Sequence, residues 1–151
     1  MARLTKIWLA AIPFWLCAST SHAETALVTP QEALLPPVQV LTLRGPGGGP
    51  KVELAGPQSD VPGGASFSLT ATFKPRAETS IDPNSVHIIL LLGDGVDVTE
   101  RVRSAGRIDQ TGIDLKGLVA PPGQYRIRVL VDDTNQRSGF ADLTLKIDAP
   151  H

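Results

Sequence analysis

Apolar and polar side chains alternate with a period of two along several short stretches of the chain. Residues 124–131 show it most clearly. Tyr125, Ile127, Val129 and Val131 fall on one side, and Gln124, Arg126, Arg128 and Leu130 on the other. Successive side chains of a strand point to opposite faces, so this stretch predicts a half-buried β-strand opened by the turn Pro121-Pro122-Gly123. Residues 66–73 repeat the pattern, with Phe67, Leu69, Ala71 and Phe73 inward and Ser66, Ser68, Thr70 and Thr72 outward. Within 86–92, Val86, Ile88, Leu90 and Leu92 share one face, and His87, Ile89 and Leu91 the other. Within 139–147, Ala141, Leu143, Leu145 and Ile147 face in, while Phe140, Asp142, Thr144 and Lys146 face out. Weaker strands are predicted at 38–43, 52–55, 96–99 and 108–115, with a short helix over 96–104 as the alternative at that place.

Turn residues punctuate these stretches: Asp82-Pro83-Asn84-Ser85, Gly93-Asp94-Gly95 and Asp132-Asp133-Thr134-Asn135. About seven short strands at this spacing make an all-β chain, an immunoglobulin-like antiparallel β-sandwich rather than a barrel. Composition agrees. Gly and Pro form about a fifth of residues 24–151, against a usual level of about 12%, which leaves no room for several helices. The glycine-rich run at 44–50 reads as a kink in an edge strand and not as a phosphate cradle. Pro46 and Pro50 lack N–H donors, and neither a Lys-Ser/Thr pair nor a helix follows.

The amino terminus reads differently. Arg3 and Lys6 precede an apolar run over 7–18, and Ser21-His22-Ala23 offers a small-x-small cleavage site. That order predicts a cleavable signal peptide at 1–23, with a retained membrane anchor as the alternative, although the run is short for a bilayer. Leu16 before Cys17 does not suit lipidation. Residues 24–37, with Pro30, Pro36 and Pro37, read as a leader or linker whose Leu27, Leu34 and Leu35 are able to cover a sheet face; the sandwich follows at 38–148. Cleavage removes the only Cys, so the exported domain forms no disulfide. It also removes Arg3 and Lys6, taking the net charge from −1 to −3, and no basic run argues for nucleic acid. The expected location is periplasmic or secreted, without a stable membrane span after cleavage.

Three motifs carry a family resemblance: Ile81-Asp82-Pro83-Asn84-Ser85-Val86, Asp97-Val98-Thr99, and Pro122-Gly123-Gln124-Tyr125-Arg126-Ile127-Arg128-Val129. Over residues 52–147 the chain resembles the bacterial immunoglobulin-like domains of exported and envelope proteins. The resemblance implies a fold and says almost nothing of function. It also implies a structural role for Gly123 and Tyr125. A tyrosine at this corner buries its ring and hydrogen-bonds to upstream backbone. Ile127 occupies the position where antibody domains carry a disulfide cysteine.

Candidate chemistry is sparse. His87 and His151 are the only histidines after residue 23, and neither stands beside a nucleophile or carboxylate motif, so no enzyme is predicted. Copper carriage lacks clustered His and Met. No cofactor is expected, Ca²⁺ apart. Antiparallel topology places the loop before residue 86 beside the loop after residue 131, so Asp82, Asp132, Asp133 and Asn135 are able to meet as hard oxygen ligands. The second expectation is an interaction face. If Leu130 pairs with Phe140, Arg128 falls opposite Asp142, and Ile89, Leu91, Leu130 and Phe140 form an apolar patch edged by Arg126 and Arg128. The partner would be another envelope protein or a second copy of the chain. The alternative function is small-ligand or glycan binding at the Asp-rich loops, weakened by the scarcity of aromatic platforms.

Overall fold

The structure is a computed structural model that describes residues 23–38 and 48–150. The signal peptide expected at 1–23, apart from residue 23, and most of the strand expected at 38–43 lie outside the described residues. Nine strands are described: β1 (Thr25–Ala26), β2 (Lys51–Ala55), β3 (Phe67–Lys74), β4 (His87–Leu90), β5 (Val96–Asp97), β6 (Gly106–Asp109), β7 (Gly112–Val119), β8 (Gly123–Asp132) and β9 (Ser138–Ile147), with one short helix, α1 (Thr99–Val102).

Two sheets stack. The first runs β2-β3-β7, and the far edge of β7 is shared by two short strands. β6 pairs antiparallel with its first half, and β1 pairs in parallel at Leu118 and Val119. The second sheet has the order β5-β4-β8-β9. Taken as β2-β3-β7-β6 over β5-β4-β8-β9, this is the strand order of an immunoglobulin-like sandwich with an added edge strand on the second sheet. The alternation in the sequence accounts for the layers. Leu69, Ile88, Leu90, Leu115, Leu118, Ile127 and Val129 lose essentially all solvent contact between the sheets. Each such side chain contributes about 1.5–3 kcal/mol of burial. The sheets meet edge to edge where 49–50 lies against 138–139: a Cβ on Gly139 would fall 1.9 Å from the Pro50 carbonyl oxygen.

Three local expectations change. Residues 24–37 are not a loose leader: Thr25–Ala26 forms β1, and Leu27 and Val28 enter the core. Thr29 and Glu32 then cap a single 3₁₀ turn reciprocally, Thr29 N–H donating to Glu32 Oε2 at 2.8 Å and Glu32 N–H to Thr29 Oγ1 at 3.3 Å. Leu34 does not cover a sheet; it is 85% exposed. The strand expected at 108–115 is a hairpin, β6 and β7. Asp109 Oδ1 accepts the Thr111 and Gly112 N–H groups at 2.7 and 3.2 Å, turning the chain where a run of mixed polarity suggested continuity. After β5 the chain does become helical. Asp97 Oδ1 accepts Thr99 N–H at 2.9 Å and the Thr99 hydroxyl at 2.6 Å, and Thr99 Oγ1 in turn accepts Ile88 N–H at 2.8 Å. This ties the corner to β4.

Candidate interaction face

The outer face of the second sheet is built by register. β8 pairs with β9 so that Leu130 faces Phe140, Arg128 faces Asp142 and Arg126 faces Thr144. β4 sets His87 beside Leu130 and Ile89 beside Arg128, and β5 adds Asp97 beside Ile89. The face therefore carries one row of His87, Leu130 and Phe140, and a second of Asp97, Ile89, Arg128 and Asp142.

Charge is organised around Asp142. Arg128 grips it with two bonds, Nε to Oδ1 at 2.7 Å and Nη2 to Oδ2 at 2.9 Å. Arg126 adds a contact from Nη2 to Oδ2 at 3.1 Å. Arg128 also stacks over Phe140, with its guanidinium carbon 4.3 Å from the ring centroid. Hydrogen bonding from Arg128 holds the Asp142 carboxyl below its ordinary range against the opposing effect of burial, and Asp142 raises the Arg128 pKa in return. Planar bidentate pairing fixes both side chains, so Phe140 and Leu130 sit beside a rigid polar frame. At the opposite edge His87 Nδ1 lies 2.7 Å from Asp97 Oδ2.

One part of the expected patch is covered. Ile89, Leu130 and Phe140 are half-buried, but Leu91 is only 7% exposed. Pro37 and Val38 run alongside it at the sheet edge, with Val38 N–H donating to the Leu91 carbonyl at 3.0 Å and Pro37 bridging Leu92. Val38 is the first residue of the strand expected at 38–43.

The Asp-rich loops do meet. Asp82 N–H donates to the Asp132 carbonyl at 3.1 Å, and Thr134 N–H to the Ser80 carbonyl at 2.9 Å. Their carboxylates do not converge on a cation site, and no group of three or more His, Cys, Asp or Glu side chains among the described residues is placed to hold a metal. Each of the three carboxylates accepts at least one hydrogen bond. Asp133 is buried and accepts from Asn135 N–H, Arg137 N–H and Arg137 Nε at 2.9, 3.0 and 2.9 Å. Burial alone would raise its pKa, yet those donors and the guanidinium hold it below the ordinary value. Asp132 accepts the Ser138 hydroxyl at 2.6 Å, and Asp82 accepts Asn84 N–H at 2.9 Å. Asp82 and Asp133 spend these bonds on their own turns.

Tyr125 makes the corner bond. Its hydroxyl donates to the Pro121 carbonyl at 2.9 Å, and its ring is buried. Gly123 is bound to this corner by space: a Cβ there, at φ +152°, would lie 2.9 Å from the tyrosine hydroxyl.

An unexpected pair lies at the N-terminal segment. Arg101 places Nη1 2.8 Å and Nη2 2.5 Å from the two Glu32 oxygens, and Nη1 also reaches the Leu27 carbonyl at 3.2 Å. Hydrogen bonding to Arg101 pulls the Glu32 carboxyl down to about 2. The Thr29-x-x-Glu32 spacing is a capping-box signal that was open to reading in the sequence; its long-range partner was not.

No family profile and no curated protein sequence matches the chain. Among solved structures, the chain is similar to the PKD domain of an M14-like peptidase from a Thermoplasmatales archaeon, at 13% identity and a TM-score of 0.44, over 67% of this chain and 97% of that one.

Proposed function

We propose that the chain is an exported, non-enzymatic immunoglobulin-like module that binds another protein of the cell envelope, or a second copy of itself, through the outer face of the sheet β5-β4-β8-β9. The observation that carries this reading is the pairing of half-buried Leu130 and Phe140 with a guanidinium–carboxylate frame on the same face. Aromatic and Arg side chains on a fixed frame are the composition of protein-binding surfaces. The periplasmic or secreted location rests on the basic start, apolar run and Ser21-His22-Ala23 site of the sequence.

The test compares the wild-type protein with the double variant Leu130→Ser, Phe140→Ser. Sedimentation of the purified protein reads self-association, and co-purification from cells producing the full chain reads partner capture. Loss of either association in the double variant, with folding retained, is the expected result. Unchanged behaviour in both assays refutes the reading.

A further inference from the structure

Beside Arg126 the same face opens into a cavity of about 390 Å³, at the lower end of the roughly 300–1,000 Å³ usual for ligand sites. Pro37, Val38 and Leu91 supply apolar wall; Gln124, Arg126 and Thr144 supply the polar groups. Among the described lining residues none is acidic. The Asp142 cluster has two guanidiniums for one carboxylate. Arg128 makes a two-point bond to Asp142 and is 23% exposed, whereas Arg126 makes one contact there and is 43% exposed. The cluster thus has one more positive than negative charge, and the more exposed guanidinium is the one at the cavity.

We propose that this cavity takes the carboxy-terminal end of a partner polypeptide, its last apolar side chain against Pro37, Val38 and Leu91 and its α-carboxylate on Arg126, with the Gln124 amide and Thr144 hydroxyl as further donors. The proposal rests on the protein-binding reading above and adds the partner's chemistry. A carboxylate completes the cluster at two guanidiniums to two carboxylates. The apolar wall selects a hydrophobic terminal residue over a free inorganic anion, and the planar guanidinium suits bidentate pairing with a carboxylate.

The test uses ¹⁵N-labelled protein purified after expression of the full chain. It is titrated with acetylated tripeptides ending in Leu, Val or Phe, with the same peptides as C-terminal amides, and with inorganic phosphate. The expected result is saturable shifts at Leu91, Leu92, Gln124, Arg126 and Thr144 with the free acids. Affinity should fall about tenfold or more for the amides and for Arg126→Gln, the loss that one charge-assisted bond predicts, and partly for Arg126→Lys. A spectrum of Arg126→Gln with native dispersion shows that the fold is kept. Equal binding of acid and amide, equal binding of phosphate, shifts elsewhere, or no shifts overturns the proposal. The Leu130 and Phe140 association assays do not depend on this cavity. If they hold while the peptides fail, the terminal-carboxylate inference alone is lost.

Discussion

The two sheets bury matching inner faces but present unlike outer ones. On the first sheet, β3 turns out Ser68, Thr70 and Thr72, and the charges around them are largely exposed: Glu53 meets Lys51 and Lys74 at 2.8 Å each, Lys116 meets Asp114 at 3.8 Å and Arg107 meets Asp109 at 3.1 Å. Pairs of that kind add about 0–1 kcal/mol and are screened by salt. On the second sheet the outward rows of β8 and β9 carry Leu130, Phe140 and a guanidinium–carboxylate cluster in which Asp142 is 18% exposed. One face is built to stay in water and the other is half removed from it already. Period-two alternation dictates both inner faces equally, so the fold comes from what the sheets share and the functional reading from what they do not.

The sharpest way to break this arrangement is at the edge where the sheets close. Gly139→Ala drives a Cβ into the Pro50 carbonyl and is expected to cost at least about 2 kcal/mol in denaturant unfolding. Next comes the contrast between the faces. Asp142→Ala leaves Arg128 without its carboxylate over Phe140 and should cost about 1–3 kcal/mol. Lys116→Ala, its counterpart on the first sheet, should stay within about 0.5 kcal/mol. Equal losses for the two variants would erase the distinction between the faces. Tyr125→Phe removes the bond to the Pro121 carbonyl and should cost about 1 kcal/mol, read as a shift in the unfolding midpoint at unchanged slope.

A separate effect is one of pH. Glu32 has its pKa depressed in the folded state to about 2, so the stability it contributes is fully present above its unfolded value of about 4.3. That contribution is lost as pH falls through the folded value. Comparing wild type with Glu32→Gln, the gap in stability should be constant above about pH 5 and close progressively between about pH 4.5 and 2. A gap that persists unchanged at pH 2 would detach the Arg101 bond from the stability of the N-terminal segment.

Much of this was legible in the sequence. β3 and β8 announce themselves because their inner positions are all apolar, and their outer positions are polar or, in β8, include a single Leu130. The pairing of Leu130 with Phe140 follows once the turn over 133–137 is counted as a tight connection. What was not legible is non-local. β1 is two residues long, and its pairing with Leu118 and Val119 leaves no pattern in a segment rich in proline. The pairing of Val38 with Leu91 joins residues more than fifty positions apart. The Asp-rich loops show a related effect. Residue type and loop adjacency were read correctly, but Asx side chains that form turns spend their oxygens on nearby N–H groups.

The most direct measurement places a photo-crosslinking residue at position 130 on the second sheet, and separately at position 70 on the first, in cells producing the full chain. Discrete protein adducts at position 130, absent at position 70 and lost on adding Phe140→Ser, are the predicted outcome. Adducts at both positions alike, or at position 70 alone, would contradict the assignment of the β5-β4-β8-β9 face as the binding surface.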